Sequence, residues 1–408
     1  MSGQPGKPWI GVATDHLFGL HTLPYGVFTD ADHPQPRIGV AVGEAILDLT
    51  AASAALLPEH VALFRRGTLD ALLAAGRRTW TAIRATLTRW LTNERYAEVL
   101  APLLVPITSA TMRLPFTVAD YVDFYSSEQH ATNVGRIVRP GQPALPANWR
   151  HLPVGYHGRA GTVVISGTAV SRPSGQRRLP DGTVVFGPSS ALDFEAEVGF
   201  VVGTPSTLGR PVPLTGFADH VFGVCVVNDW SARDIQAWEY VPLGPLLSKS
   251  FATSISPWVV PLDALDAARI RPPVRDPPPL PYLDDTGTEP WGLDLTLEVR
   301  LNDQLISRPP LRGMYWSAAQ QLAHLTSNGA CLRTGDLFAS GTVSGTAPDE
   351  RGSLLELSWN GAAPLTLADG STRSFLADGD EVSITATAPG PEGTIVGLGE
   401  VCGRVSPS

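Results

Sequence analysis

The sequence is poor in the residue types on which several large classes of protein depend. It has three cysteines, Cys225, Cys331 and Cys402, which are odd in number and widely separated. Neither a disulfide framework nor a CxxC metal site is therefore indicated, and we expect reduced, buried thiols. The motifs HExxH, GxSxG and GxxxxGK[ST] are also missing, so the enzyme classes that use them have no support.

Basic runs and long apolar runs are scarce as well. The net charge is -9, and Lys or Arg occurs at most in adjacent pairs, which argues against binding to a nucleic-acid backbone. The N-terminal MSGQPGKPWIGV lacks the apolar core of a signal peptide, and no segment approaches the ~20 apolar residues of a membrane span. We expect a cytoplasmic protein with neither nucleic acid nor a membrane as partner.

The composition supplies enough apolar material for more than one core. Apolar residues make up 43% and charged residues 17% of the 408 residues, which is a globular composition. Single cores stop growing at roughly 250 to 300 residues, so two domains are expected. The 40 Gly and 37 Pro predict many short strands and turns rather than long helices.

The hydrophobic pattern divides the chain into two parts. Residues 36–50 alternate as strands around a turn at Gly43, and residues 51–93 change to a helical period. Apolar residues of that helical stretch should pack on the body of the protein: Leu69, Leu72, Leu73, Trp80, Ile83 and Leu87. Residues 100–116 contain three prolines and break both periods. We place the boundary there, between domains 1–115 and 116–408.

Strand patterns dominate the second part. β-Branched segments bounded by Gly, Pro or Asp predict strands at 161–165, 192–202, 221–227, 293–301, 354–358 and 381–387. Helices are predicted from a cap at Asn228 and Asp229 towards Tyr240, and over residues 317–327. GLGEVCG (397–403) should be a C-terminal strand and turn. The Pro-rich residues 271–283 fit a polyproline ligand or a solvated connector, and we favour the connector.

Two carboxylates share one side of the predicted strand LDFEAEVGFVV. Because strand side chains alternate, Glu195 and Glu197 project from one face while Phe194 and Val198 project from the other. This pattern fits an ordinary strand with one solvated face. It also fits half of a cation site built from oxygen ligands alone.

The segment NDWSARDIQAWEY brings four polar groups to one predicted helical face. Asp229, Arg233, Gln236 and Tyr240 follow at steps of four, three and four. An amphipathic surface helix would show polar residues at this spacing too. An anion, a guanidinium, an amide and a phenol are varied recognition groups, however, whereas a solvated face is more often Lys and Glu.

The segment DFYSSEQHATNVG adds a carboxylate, a phenol and an imidazole. Asp123 and Tyr125 share a side if the segment is extended, and His130 follows in what reads as a polar loop, where a His is either structural or catalytic. Four carboxylates could then converge on one ion: Asp123, Glu195, Glu197 and Asp229. Hard oxygen ligands without Cys favour Ca²⁺ or Mg²⁺ over Zn²⁺.

With these segments in view, the chain resembles the full-length, two-domain type of the fumarylacetoacetate hydrolase family. The blocks that carry the resemblance occur in order: DFYSSEQHATNVG, LPVGYHGRAG, LDFEAEVGFVVG, NDWSARDIQAWEYVPLG, GDLFASGTVSG and LLELSW. LPYGVF and PRIGVAVGEAILDL extend it into the N-terminal part, so it covers residues 18 to 403. The resemblance implies a mainly β fold with α-helices, made of a small SH3-like N-terminal barrel and a C-terminal mixed β-roll, and a homodimer formed through the larger domain.

The resemblance also implies an activity and roles for particular residues. The activity is hydrolysis of the carbon–carbon bond of 4-fumarylacetoacetate to fumarate and acetoacetate, the last step of tyrosine and phenylalanine breakdown. The implied cation is Ca²⁺, Mg²⁺ or both, and the implied ligands are Asp123, Glu195, Glu197 and Asp229, with Lys249 and Thr253 at a second, Mg²⁺-type cation. His130 matches the general base and Glu356 the carboxylate that orients it. Arg233, Gln236 and Lys249 match donors to developing negative charge. The substrate-contacting positions are Tyr125, Arg139, Tyr156, Gln236, Tyr240 and Thr342.

Two other functions fit part of the sequence. Relatives of the same family that keep the carboxylates act as acylpyruvate hydrolases, decarboxylases or hydratases, and fold alone does not decide among them. A non-enzymatic, Ca²⁺-stabilised binding module would explain the acidic residues but gives His130 and Glu356 no purpose. The long N-terminal part, His130, Arg139 and the residues from Arg233 to Tyr240 favour fumarylacetoacetate as substrate.

Overall fold

A computed structural model describes residues 8–408. Residues 1–7, part of the segment from which the cytoplasmic location was expected, lie outside the described residues, and that location stays a prediction. Within residues 8–408, every helix is too short or too polar to cross a lipid bilayer.

The N-terminal part is a five-stranded, barrel-like antiparallel sheet with helices packed beside it. Its strand order is β4-β3-β2-β1-β5, and its strands are β1 (Tyr25–Thr29), β2 (Arg37–Val42), β3 (Ala45–Asp48), β4 (Leu104–Pro106) and β5 (Thr111–Arg113). Gly43 turns the chain between β2 and β3 with a φ of 56°, a conformation that glycine adopts without strain. The prediction of two strands around Gly43 is confirmed.

The predicted helical stretch of residues 51–93 is helical in pieces. The helices are α1 (Leu49–Leu56), α2 (Asp70–Leu73), α3 (Arg77–Thr92) and the later α4 (Ala97–Leu100), with a 3₁₀ segment at Pro58–Phe64. Pro58 and Gly76, which has a φ of 83°, interrupt the α-helical period. All six apolar residues predicted to pack on the body are buried. Trp80 meets Phe222 edge to face at 5.3 Å between ring centroids, so that prediction is confirmed.

The second part contains the remaining strands and helices. In chain order the strands are β6 (Tyr121–Phe124), β7 (Gly155–His157), β8 (Val163–Ile165), β9 (Val170–Ser171), β10 (Ser174–Arg178), β11 (Val184–Pro188), β12 (Leu192–Asp193), β13 (Ala196–Val202), β14 (Val221–Asp229), β15 (Ser231–Ala232), β16 (Thr253–Ile255), β17 (Val260–Pro261), β18 (Arg269–Ile270), β19 (Gly292–Leu293), β20 (Thr296–Leu301), β21 (Gln304–Ser307), β22 (Leu337–Ala339), β23 (Leu365–Thr366), β24 (Thr372–Arg373), β25 (Glu381–Pro389) and β26 (Ile395–Ser406). The helices are α5 (Glu128–Val138), α6 (Phe217–His220), α7 (Arg233–Glu239), α8 (Ala318–Thr326) and α9 (Leu354–Leu357).

The central sheet of the second part determines where the polar segments meet. Its order is β7-β6-β22-β13-β14-β16-β8, with β17 also paired to β14. Every residue of β13 and β14 is buried, as expected for strands covered on both faces. Because β13 and β14 are antiparallel, the start of β13 lies beside the end of β14, with Ala196 opposite Asn228. The end of β6 reaches the same region through β22, where Asp123 pairs with Ala339.

A second mixed sheet packs below the first. Its order is β21-β20-β25-β26-β9, and buried residues alternate with partly exposed ones along β20 and β25, the pattern of a sheet with one face on the core. GLGEVCG lies within β26, as expected. The two curled sheets and the N-terminal barrel confirm the mainly β class with α-helices.

Several local predictions need correction. Residues 354–358 are not a strand but contain α9, because Ser353 and Asp193 accept hydrogen bonds from the backbone N–H groups at its start. The helix predicted from Asp229 begins at Arg233, since β14 continues to Asp229 and β15 pairs with β12. Cys331 is exposed rather than buried.

The Pro-rich connector of residues 271–283 is anchored rather than fully solvated. Arg275 is buried, and its guanidinium donates to the carbonyl of Tyr315 at 2.9 Å and to Asp285 at 2.9 Å. By contrast, the helix predicted at 317–327 is confirmed as α8, which begins with a capping box of Ser317 and Gln320.

Candidate active site and metal centre

Four acidic side chains converge at the meeting point of β6, β13 and β14. Each offers one oxygen, and these oxygens all lie within 4.8 Å of one another; the residues are Asp123, Glu195, Glu197 and Asp229. All four are buried. Burying neighbouring carboxylates costs free energy unless a positive charge lies between them, so cations would stabilise this acidic cluster.

Half of the acidic cluster has no protein partner. Asp123 Oδ1 and both carboxylate oxygens of Glu197 are buried without a hydrogen-bond partner among residues 8–408. Burial, together with the negative charge of Asp229 and the other carboxylates, raises the pKa of Asp123 well above its usual value. Burial, with Asp123 and Asp229, raises the pKa of Glu197 in the same direction. Buried carboxylate oxygens without a protein partner are suited to bind a cation.

The other half of the acidic cluster is compensated by two cationic side chains. Lys249 Nζ donates to Asp229 Oδ2 at 2.8 Å and also to Glu195 Oε2, and Arg233 Nη1 lies 2.8 Å from Glu195 Oε1. Burial alone would raise the pKa of Glu195, but the charges of Lys249 and Arg233 outweigh it and lower that pKa to about 2. Lys249 and Arg233 compensate only part of the charge of the four ionised carboxylates, since Arg233 is also paired with Asp193, and the remaining negative charge suits a divalent ion.

Asp229 is held by two further side chains. The Tyr156 hydroxyl donates to Asp229 Oδ2 at 2.6 Å, and Thr253 Oγ1 donates to Asp229 Oδ1 at 2.9 Å. Burial lowers the pKa of Lys249, but Asp229 and Glu195 outweigh that effect and raise it. The Lys249 amine is therefore a protonated donor to both carboxylates. Its expected role at a second cation, and that of Thr253, stay predictions.

His130 and Glu356 form a buried pair beside the acidic cluster. His130 lies in the first turn of α5, which Ser127 caps by accepting from the His130 N–H at 3.2 Å. Its Nδ1 lies 2.6 Å from Glu356 Oε2; since a carboxylate only accepts, Nδ1 carries the proton. In the neutral ring Nε2 then carries the lone pair, and it lies 4.0 Å from Glu195 Oε1. The imidazole thus presents a basic nitrogen to the acidic cluster.

Glu356 is fixed by more than the imidazole. Asn133 Nδ2 donates to its Oε1 at 2.9 Å, and the hydroxyls of Ser344 and Ser353 donate to its Oε2 at 2.9 and 3.0 Å. Burial opposes ionisation of Glu356, but His130 and these donors outweigh it and lower its pKa. The carboxylate is held ionised and in one orientation.

Arg233 brings one unused donor to the site. Its Nε donates to Asp193 Oδ2 at 2.8 Å and its Nη1 to Gln236 Oε1 at 3.1 Å. Its Nη2 is buried without a hydrogen-bond partner among the described residues. A buried guanidinium N–H left free in this way is suited to an oxygen of a bound molecule.

The other expected substrate positions lie at different depths. The ring of Tyr125 stands edge on to the His130 ring, 5.3 Å between centroids, and Thr342 is buried in the loop after β22. Arg139 ends α5, is half-buried, and donates to the carbonyl of Ala144 at 2.9 Å. Tyr240 follows α7 and is 38% exposed. Their expected contact with a substrate stays a prediction.

Sequence reasoning placed one of these residues wrongly and missed others. Asp229 does not share a helical face with Arg233 and Gln236, because it ends a strand, yet it still reaches the acidic cluster. Asn133, Ser344 and Ser353, which hold Glu356, were missed. Asn133 is 223 residues away along the chain, whereas Ser353 is only three residues away but was read as part of the approach to a strand rather than as the cap of a helix. Asp193 was missed although it stands two residues before Glu195, on the same side by strand alternation.

Comparison with known proteins identifies families for both parts of the chain. The model of the fumarylacetoacetate (FAA) hydrolase C-terminal family matches residues 120–406, and that of the fumarylacetoacetase N-terminal family matches residues 21–115. The chain is 46% identical over 416 residues to the fumarylacetoacetase of Homo sapiens, covering 98% of this chain and 99% of that protein. The fumarylacetoacetase of Arabidopsis thaliana is 45% identical over 420 residues, with the same coverage.

Solved structures share the fold at much lower identity. A fumarylacetoacetate hydrolase from psychrophilic Exiguobacterium antarcticum superposes with a TM-score of 0.54 at 17% identity, covering 95% of this chain and 100% of that one. A maleylpyruvate hydrolase from Sphingobium sp. SYK-6, solved in complex with manganese (II) ion and pyruvate, gives 0.51 at 16% identity with the same coverage. These similarities establish the fold alone.

Proposed function

The chain belongs to the fumarylacetoacetate hydrolase family and is a hydrolase, and from this we propose that it cleaves 4-fumarylacetoacetate into fumarate and acetoacetate with a divalent cation and His130 as base. The full-length identity to fumarylacetoacetases supports the substrate. The observation that carries the mechanism is the free Nε2 of His130 facing four converging carboxylates.

The residues at the acidic cluster fit a divalent cation. Asp123, Glu195, Glu197 and Asp229 would hold it, and their oxygen donors and uncompensated negative charge favour Ca²⁺ or Mg²⁺. When bound, such an ion polarises the two carbonyl oxygens of a 1,3-diketone and stabilises negative charge on them. We assign Lys249 and Thr253 to contacts with a second, Mg²⁺-type cation, with the Thr253 hydroxyl as an oxygen donor and the Lys249 amine balancing the charge of the surrounding carboxylates.

His130 supplies the base. Because Nδ1–H of His130 donates to Glu356, Nε2 is the nitrogen that can take a proton from a water molecule. The resulting hydroxide adds to the ketone carbon of the fumaryl group, and the bond from that carbon to the adjacent methylene then breaks. Its electron pair stays on the methylene carbon, which takes up a proton to complete acetoacetate. Glu356 stabilises the imidazolium that forms in between.

The remaining residues bind and orient. Arg233, Gln236 and Lys249 donate to the oxygens on which negative charge develops, and the free Nη2 of Arg233 supports this role. Arg139 is suited to a terminal carboxylate of the substrate. We assign contacts with the rest of the substrate to Tyr125, Tyr156, Tyr240 and Thr342.

Two finer features belong to the same proposal. The domains are residues 1–115 and 116–408, which agrees with the extents of the two family matches. The active form is a homodimer, which is supported by large apolar side chains exposed along one segment of the larger domain: Trp238, Val241, Leu243, Leu246 and Leu247. Apolar patches of this kind mark association surfaces.

The test is a direct assay with matched variants. Purified protein is mixed with fumarylacetoacetate and, in parallel, with acylpyruvates, and loss of the diketone absorbance is followed. We expect turnover of fumarylacetoacetate, its loss on exhaustive chelation, and its return with Mg²⁺ or Ca²⁺. His130→Gln should lower kcat about 10²- to 10⁴-fold. The exposed His33→Gln is the control; a wild-type rate for His130→Gln would refute the base, and faster turnover of acylpyruvates the substrate.

A further inference from the structure

Asp193 is a buried carboxylate that takes no direct part in the proposed reaction. It lies in β12, opposite Ser231 of β15, and is 0% exposed. No part of it can reach a substrate from this position. Its contacts, however, run to two different components of the site.

One oxygen of Asp193 fixes the plane of the Arg233 guanidinium. Arg233 Nε donates to Asp193 Oδ2 at 2.8 Å, while Nη1 lies 2.8 Å from Glu195 Oε1. Two carboxylates therefore hold two edges of the planar group, and the third nitrogen, Nη2, is left without a partner among the described residues. Without Asp193 the guanidinium would be held through Nη1 alone, by Glu195 and Gln236, and could rotate about that nitrogen and turn Nη2 away.

The same carboxylate fixes the segment that carries Glu356. The backbone N–H of Leu354 donates to Asp193 Oδ1 at 2.7 Å, and that of Leu355 donates to Asp193 Oδ2 at 3.0 Å. The next residue is Glu356, whose carboxylate accepts the hydrogen bond from the Nδ1–H of His130. Asp193 therefore hydrogen-bonds both to Arg233 and to Leu355, the residue that directly precedes Glu356.

We propose that Asp193 is a positioning residue that holds Arg233 and Glu356 in fixed relation, so that the base and the charge-stabilising donor address the same substrate. This rests on the roles proposed above for Arg233 and Glu356. A carboxylate is required because its two oxygens accept from four N–H donors, Arg233 Nε and the backbone N–H groups of Phe194, Leu354 and Leu355. An amide has a single acceptor oxygen and must turn N–H groups towards at least one of those donors.

Asp193→Asn is the variant that tests this role, with Asp380→Asn as control. Asp380 is also buried at 2% exposure; it accepts from Arg373 Nε at 2.8 Å and from the Ala377 N–H at 2.8 Å. We expect Asp193→Asn to lower kcat about 10- to 100-fold, the usual effect of losing an orienting partner, with KM within about threefold. Asp380→Asn should lower Tm but leave kcat unchanged. If both variants lose stability alike and neither loses kcat, Asp193 is merely structural.

A double-variant comparison separates this inference from the proposed function. If Arg233→Met and Glu356→Gln both keep wild-type kcat, the proposed function has failed. If they lose kcat, Asp193→Asn should cost at least about threefold less in the Arg233→Met protein than in the wild type, because part of its effect runs through Arg233. An equal loss in both proteins overturns the inference.

The double variant also answers the case in which Asp193→Asn alone does not fold. Removing Asp193 and the Arg233 charge together leaves no unpaired guanidinium, so the double variant should fold. Its kcat should still lie about 3- to 10-fold below that of Arg233→Met, because the segment of Glu356 has lost its support. Equal kcat values for the two would overturn the inference.

Discussion

Replacing Glu197 by Gln should stabilise the cation-free protein and at the same time weaken its response to cations. Both oxygens of Glu197 are buried without partners among the described residues, and Asp123 and Asp229 repel its charge. A group whose pKa is raised on folding costs stability once the pH is above that of the unfolded chain. Because Gln removes the charge that burial, Asp123 and Asp229 oppose, Glu197→Gln should raise the free energy of unfolding in chelator, by about 1 to 3 kcal/mol, the cost of a buried polar group without compensation.

Glu195→Gln is the matched control, and we expect it to change the free energy of unfolding in the opposite direction. In the wild type, burial opposes ionisation of Glu195, but Lys249 and Arg233 outweigh it and lower the pKa of Glu195 from 4.5 to about 2. One pKa unit corresponds to about 1.4 kcal/mol. The ionised Glu195 therefore contributes roughly 3 kcal/mol at neutral pH, where both the folded and the unfolded chain are ionised. Glu195→Gln should lose most of that in chelator. Without cations, stability should thus fall in the order Glu197→Gln, wild type, Glu195→Gln.

Adding Mg²⁺ or Ca²⁺ should make the wild type more stable than Glu197→Gln. A ligand at about 100 times its Kd stabilises the folded state by about 2.7 kcal/mol, and wild type should gain this while Glu197→Gln, which lacks one ligand, gains much less. Urea unfolding followed by the fluorescence of the 10 Trp residues, with and without chelator, measures both values. If Glu197→Gln destabilises the cation-free protein and responds to cations like wild type, the acidic cluster is not a cation site.

Three further predictions follow from other contacts. Glu356→Gln should lower kcat about 10²- to 10⁴-fold with KM nearly unchanged, since it removes the partner that orients His130; steady-state kinetics would show an equal loss of affinity if Glu356 served binding instead. Because the pKa of Glu356 is lowered from 4.5, its ionised form should add stability above pH 4.5 that disappears as the pH falls below it, and the unfolding free energy of Glu356→Gln should depend less on pH in that range. Gly341→Ala should lower Tm far more than Gly370→Ala. Both glycines have positive φ, but only at Gly341 would the added Cβ lie 2.2 Å from the Phe124 carbonyl oxygen. Equal shifts in Tm would mean that the loop at Gly341 relaxes and would contradict this prediction.

The acidic residues of the site were accessible to sequence reasoning because local rules govern them. Alternation along a strand put Glu195 and Glu197 on one side, and Asp229 stood at the end of an apolar run that could only be buried. Their convergence follows from the antiparallel pairing of β13 with β14, which no local pattern specifies. The sequence therefore identified the four carboxylates as candidates, but only the fold shows that their oxygens lie within 4.8 Å of one another.

Errors arose where a distant side chain decides the local structure. LLEL reads as a strand by its apolar content, but Ser353 and Asp193 accept from its first N–H groups and so favour a helical turn. Asp193 is 161 residues from Leu354 along the chain, so no window of local sequence contains both. The helix predicted from Asp229 failed for a similar reason, since the pairing of β15 with β12 extends the non-helical backbone to Ala232.

The way Trp80 lies on the larger part of the chain limits how the protein could be shortened. Trp80 covers Gly203 so closely that a Cβ there would come within 2.4 Å of its ring, and it shares one apolar core with Val201, Phe222 and Val227. Phe222 and Val227 belong to the strand that ends at Asp229. A protein cut near residue 116 would expose that core to water directly behind a cation-binding strand. The larger part on its own would therefore need a different, water-compatible surface there.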